Sequence, residues 1–202
     1  MNKQKKNNVN NGINTYNTKT KPKTNTIMVI GADHGGYELK EDLIKYILDK
    51  KYTNFKIIDV GTESLERTDY PIYAELVGKK LIEELNKYNS SINGNNDISI
   101  GKDLDARIFG ILICKSGHGM TVAANKVKGV RASLVNNETG IKNGIEDDDI
   151  NVFCVSSNDI NLEKMIKYLN IIIDSKFKNT DRYVKRINQI ENMENNFNNW
   201  KN

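Results

Sequence analysis

The chain has 202 residues, a formal charge of +4 and 38% hydrophobic residues, against about 45–50% in an ordinary globular domain. Six lysines (Lys3, Lys5, Lys6, Lys19, Lys21, Lys23) and no acid lie in residues 1–32, so the rest of the chain sums to about −2 and holds no basic surplus suited to nucleic acid. No apolar run approaches the roughly 18 residues of a membrane helix, and the N-terminus lacks the apolar core of a secretory signal.

Residues 1–25 are rich in Asn and Lys. They read as a disordered tail in preference to an organelle transit peptide, which would bring Arg and an apolar helical face. Thr26 to Gly31 is an apolar run closed by glycine, a buried strand. Leu39, Leu43, Ile47 and Leu48 share one face of a helix over 36–50. Phe55 to Val60 is a second strand. Tyr70-Pro71 opens a helix with Ala74, Val77, Leu81 and Leu85 inward, and proline suits a first helical turn. Residues 87–105 are polar and Asn-rich, a low-complexity surface insertion. Arg107 to Cys114 is the third strand, His118 to Val127 a helix and Val130 to Val135 the fourth strand. A weak helix near 138–146 precedes the fifth strand, Asn151 to Val155. A helix over 160–175 turns Leu162, Met165, Ile166, Leu169 and Ile173 inward. Asp181 to Met193 is the last helix, and 193–202 is a polar tail. Strands alternating with helices predict an α/β fold: a Rossmann-like three-layer sandwich around a five-stranded parallel sheet, one domain over 26–192.

The chemistry gathers at strand ends. Cys114 closes an apolar run and is followed by Lys115-Ser-Gly-His-Gly119. In an α/β sheet that places a thiol at the carboxyl edge, where ligands bind. Glycines there let backbone N–H groups point at an anion, and the next helix adds its positive end. Taken by itself, Cys114 reads as a buried structural thiol. Beside an anion-stabilising loop it suggests proton abstraction or nucleophilic attack. The loop is no dinucleotide fingerprint, because position 122 is Val, and no P-loop, because no Gly-Lys-Ser/Thr closes it. Asp33 and His34 follow the first strand, either as a capping turn or as part of a site. Arg182 and Arg186 stand at i and i+4, either a solvated basic face or a phosphate clasp. Glu66 to Pro71 reads as a loop capping a helix. Glu146 to Asp149 is an acidic turn without a histidine or other supporting ligand, so no metal is expected. Cys114 and Cys154 form no CxxC pair and no disulfide framework, which points to a reducing, cytoplasmic setting.

In order, Gly31-Ala-Asp-His-Gly-Gly-Tyr-Glu-Leu-Lys40, Glu66-Arg-Thr-Asp-Tyr-Pro71, Gly110-Ile-Leu-Ile-Cys114, Ala123-Ala-Asn-Lys126 with Gly129-Val-Arg-Ala132, Asp149-Ile-Asn-Val152 and Arg182-x-x-x-Arg186 resemble the ribose-5-phosphate isomerase B family and its galactose-6-phosphate isomerase relatives. The resemblance covers about residues 26–192. It implies interconversion of ribose 5-phosphate and ribulose 5-phosphate in the pentose phosphate pathway, without metal or organic cofactor. It also implies a homodimer, or a tetramer, with phosphosugar sites at the interface. Carried over residue by residue, it makes Cys114 the base that moves a proton between C1 and C2. Ser116 and the backbone of 116–119, including Gly117, His118 and Gly119, would hold the enediolate. Asp33 would bind sugar hydroxyls and relay protons, His34 would touch the ring or phosphate, and Tyr70 would line the pocket. Arg182 and Arg186 would hold phosphate, reaching the partner subunit's site.

The chain departs from the family pattern at several of these positions. The ring-opening histidine position falls on Asp147, the sugar-binding asparagine on Asp148, and a further phosphate-binding arginine on Asn158. Lys115 stands where the family has glycine, and Tyr183 where it has histidine. His118 and Lys115 are candidates to make good the losses. Three functions compete: an active isomerase, a catalytically impaired phosphosugar-binding paralogue or structural subunit, and a nucleotide-binding module that the missing fingerprint disfavours.

Overall fold

The structure, a computed structural model, describes residues 13–17, 25–50, 52, 54–93 and 106–196. Strands β1 (Asn14–Asn17), β2 (Asn25–Ala32), β3 (Phe55–Asp59), β4 (Ala106–Cys114), β5 (Ala132–Leu134) and β6 (Val152–Ser156) form one sheet in the order β1-β3-β2-β4-β6-β5. Helices α1 (Tyr37–Asp49), α2 (Tyr70–Asn93), α3 (His118–Ala124), α4 (Glu138–Asp148), α5 (Leu162–Asp174) and α6 (Asp181–Asn196) connect and cover it.

Alternation along β4 builds the three layers. Phe109, Ile111 and Ile113 pack with Leu43 of α1, Ile145 of α4 and Leu169 of α5. Ile108, Leu112 and Cys114 face the other way, onto Val77 and Leu81 of α2 and Met120 of α3. Helix starts follow local chemistry: the Asn137 side chain accepts from Gly140 N–H at the head of α4, and Asn161 accepts from Lys164 N–H at the head of α5. Among the described residues no helix is long and apolar enough to cross a membrane.

The architecture is the expected α/β sandwich, with three differences. The sheet has six strands, not five, because β1 arises inside the segment read as a disordered tail and pairs antiparallel with β3. It covers an edge that would otherwise expose unpaired backbone, and Tyr16 packs against the core. The polar stretch from 87 does not leave the fold at once. Helix α2 continues to Asn93, laced by Lys80–Glu83 and Lys87–Glu83 ion pairs; the remainder, 94–105, lies outside the described residues. Helix α6 likewise runs to Asn196, past the expected start of the polar tail.

Beneath β1 lies a buried ion pair. Lys40 is fully buried, and its Nζ donates to Asp59 Oδ2 at 2.6 Å and to Glu41 Oε1 at 2.6 Å. Burial opposes the charge, but Asp59 and Glu41 outweigh it and hold the Lys40 ammonium above the ordinary lysine range. Lys40→Met strands the Asp59 carboxylate. The expected loss is about 3–5 kcal/mol of stability, read by chemical denaturation. A companion Asp59→Leu change in the same chain is expected to recover much of it.

Candidate active site

Parallel strands bring their carboxyl ends to one edge, and most of the residues predicted for the site meet there. Asp33 directly follows β2 and is buried; its Oδ1 accepts N–H from Gly35 at 2.9 Å and from Gly36 at 3.2 Å. The capping turn and the site position thus coexist in one side chain, with the second carboxylate oxygen not needed by the loop. The next residue, His34, is half-buried, and its Nδ1 accepts the Thr68 backbone N–H at 3.2 Å. That bond places the ring hydrogen on Nε2.

Cys114 ends β4 next to β2 in the sheet, with 6% of its surface exposed. Its Sγ accepts the Gly117 N–H at 3.2 Å. This amide therefore points at the sulfur rather than outward, a detail that the expectation of an amide cradle over 116–119 did not contain. Gly117 has φ of +73°, and a Cβ there would stand 2.4 Å from Leu134 Cδ1, so only glycine fits this turn. Lys115, Ser116 and His118 are exposed on the same loop. His118 Nδ1 lies 3.1 Å from the Ser116 carbonyl oxygen. Tyr70, at the start of α2, covers the loop: its ring stands so close that a Cβ on Gly119 would be 2.7 Å from Cζ. Asn158 joins this edge through its backbone, donating N–H to the Lys115 carbonyl at 3.2 Å.

Two residues of this edge escape a reading of side-chain motifs. Thr68 orients His34 through its amide, and its own Oγ1 is buried without a partner among the described residues. Ser157 Oγ donates to the Gly35 carbonyl at 2.7 Å, tying the Asp33 loop to the end of β6. Position in Glu66–Pro71 was the only signal for Thr68, and Ser157 carried none.

The remaining predicted residues are elsewhere. Asp147 and Asp148 end α4, just before β6, at the amino edge of the sheet. Register pairs Gly110 with Val152 and Cys114 with Ser156, so about 13 Å of strand separates that edge from the thiol. Asp147 Oδ1 accepts from Lys178 Nζ at 2.8 Å, and this bond holds the Asp147 carboxyl below the usual carboxylate range. Asp148 is exposed. Arg182 and Arg186 of α6 flank the buried Tyr183 ring, with guanidinium carbons 4.5 Å and 5.9 Å from its centroid. Arg182 also donates to the Tyr183 hydroxyl at 2.5 Å. Within one chain the Cys114 loop therefore lies at one edge of the sheet and the Arg182 face, beside Asp147, toward the other.

The second thiol, Cys154, is fully buried on β6, and burial pushes it up to about 12. At pH 8 only about one in ten thousand such groups is thiolate, the reactive form. Iodoacetamide is therefore expected to add one label per chain, on Cys114, as read by peptide mass spectrometry.

The pattern of the Ribose/Galactose Isomerase family matches residues 28–94 and 98–190. Ribose-5-phosphate isomerase B of Escherichia coli is 32% identical over 141 residues, covering 69% of this chain and 78% of that protein. A Mycoplasma pneumoniae protein, named a probable ribose-5-phosphate isomerase B, is 33% identical over 162 residues, covering 80% of this chain and 90% of its own. The crystal structure of ribose-5-phosphate isomerase B from Mycoplasma genitalium with bound ribulose-5-phosphate superposes with a TM-score of 0.67 at 30% identity, over 85% of this chain and 98% of that one. With the family pattern spanning nearly all of the described fold, Cys114 and Arg182 included, the chain belongs to the ribose/galactose isomerase family.

Proposed function

We propose that the chain is an aldose–ketose isomerase that interconverts ribose 5-phosphate and ribulose 5-phosphate. The observation that carries this reading is the thiol of Cys114, held at the carboxyl edge by the Gly117 amide beside Asp33 and His34. The Escherichia coli relative and the Mycoplasma genitalium structure, both named ribose-5-phosphate isomerase B, support it.

The reaction runs on the open-chain aldehyde. The Cys114 thiolate removes the C2 proton. The C2–H electron pair becomes the C1=C2 bond, and the C1=O1 π pair moves to O1. The enediolate is an anion, and outward amides of the loop with the Ser116 hydroxyl offset its charge. Asp33 carries the proton of O2–H to O1, using the carboxylate oxygen that the loop leaves over. The thiol then returns its proton to C1 as C2=O2 forms. His34 donates from Nε2 to the substrate, and Tyr70 walls the pocket.

A second half-site supplies the phosphate grip. Arg182 and Arg186 lie on α6, which packs on α4 beside Asp147 and away from Cys114, so in this reading two copies present opposite edges to one another. Leu65, Ile72, Leu76 and Val122 are 60%, 55%, 41% and 63% exposed, along the start of α2, the loop before it and α3. Apolar exposure on this scale beside the thiol loop suits a partner chain.

A phosphosugar-binding protein without turnover is the second reading. Asp147 favours it, because a carboxylate beside Arg182 repels phosphate. Conversion of ribose 5-phosphate, measured together with its thermal stabilisation of the protein, separates the two: isomerisation supports the first reading, stabilisation without conversion the second.

A further inference from the structure

Resting on the isomerase reading, one step has no assigned agent. An aldopentose 5-phosphate exists mainly as a furanose, with O4 bonded to C1. The thiol can act only after the ring opens, which requires O1 to lose a proton and O4 to gain one. Asp147 is poorly suited to this. It is a half-buried carboxylate locked to Lys178 at 2.8 Å, with its basicity lowered by that bond.

The carboxyl edge holds both histidines of the chain, and their hydrogen bonds assign opposite tautomers. His34 accepts at Nδ1 from the Thr68 amide, so its Nε2 carries the hydrogen and cannot take a proton. His118 faces the Ser116 carbonyl with Nδ1 at 3.1 Å. A carbonyl only accepts, so Nδ1 donates and Nε2 keeps its lone pair. His118 is exposed, and its Nε2 has no partner among the described residues. It lies in the turn that Gly117 ties to the Cys114 sulfur. Imidazole with a free ring nitrogen is the side chain best matched to proton transfer near neutral pH.

We propose that His118 is a second catalytic residue, which opens the furanose ring of the substrate held against Cys114. Its Nε2 takes the proton from O1–H. The O1 electron pair forms the C1=O1 bond as the C1–O4 pair leaves to O4. The same imidazolium then gives its proton to O4 and returns neutral. O1 and O4 are both bonded to C1, so one ring reaches each in turn. The Nδ1–H to Ser116 bond holds the imidazole in place throughout.

The test separates ring opening from proton transfer at carbon. Ribulose 5-phosphate is acyclic, because its O5 carries the phosphate and cannot close on C2. Solvent deuterium entering its C1 in D2O therefore reports the thiol step alone. Ribose 5-phosphate turnover at saturation reports both steps. For His118→Ala and His118→Gln, ribose 5-phosphate turnover is expected to fall at least about 30-fold. Deuterium entry into ribulose 5-phosphate should stay within about threefold of wild type. Equal loss of both, or of neither, overturns the role of His118. Cys114→Ala is the companion and should lose both reactions. Cys114→Ala that keeps both removes the thiol base without touching the His118 result. Wild-type protein that performs neither reaction defeats the isomerase reading, and His118 falls with it.

Discussion

Cys114→Ala is expected to lower ribose 5-phosphate turnover by about a thousandfold or more while leaving phosphosugar binding nearly intact. A positioned general base contributes about 10²–10⁴ in rate. In the proposed reading, Asp33, His34 and the arginines of a partner chain hold the hydroxyls and the phosphate, and the substitution removes none of them. KM should therefore move far less than kcat, the pattern of a group that acts in the transition state. Cys114→Ser should fail almost as badly, since a hydroxyl holds its proton more tightly than a thiol. A purely structural Cys114 would give the reverse result. The buried side chain packs among Met120, Ala124 and Cys154, so its loss would then lower the thermal midpoint and leave turnover of folded protein unchanged.

Two inactive variants should restore activity when combined. Cys114→Ala lacks the thiol half, and Arg182→Ala with Arg186→Ala lacks the cationic half. Random mixing of the two chains into dimers makes half of them mixed, and each mixed dimer holds one complete site of two. The expected activity is about a quarter of wild type, measured after co-refolding equal amounts. If all these residues served one site within one chain, mixing would recover nothing. Arg182 neighbours Asp147, which precedes β6, whereas Cys114 ends β4, and these two ends of parallel strands lie at opposite edges of the sheet.

That edge rule also shows what was legible before any coordinates. A residue at the end of an apolar run lies at the carboxyl edge and one just before such a run at the amino edge, so Cys114 and Asp147 sort to opposite edges from their places in the sequence. Strand β1 could not be foreseen, because Asn14-Thr-Tyr-Asn17 has no apolar run and gains its order from the open edge of β3 and the burial of Tyr16. The reach of α2 to Asn93 was hidden for a similar reason: past Leu85 the helix is held by Lys–Glu pairs rather than an apolar stripe. At the site, Asp33, His34 and Cys114 were readable as residue types in a pattern. The tautomers of His34 and His118 were not, since they depend on a backbone amide from Thr68 and a backbone carbonyl from Ser116.

The central claim is that the Cys114 thiol moves a carbon-bound proton of a phosphopentose. The most direct test is to incubate the full chain with ribose 5-phosphate in D2O and follow C1 and C2 by NMR, beside Cys114→Ala. Ribulose 5-phosphate is expected to form with deuterium entering at these carbons, and neither event is expected in the variant. Binding of ribose 5-phosphate by the wild-type chain with no conversion and no deuterium at either carbon would contradict it.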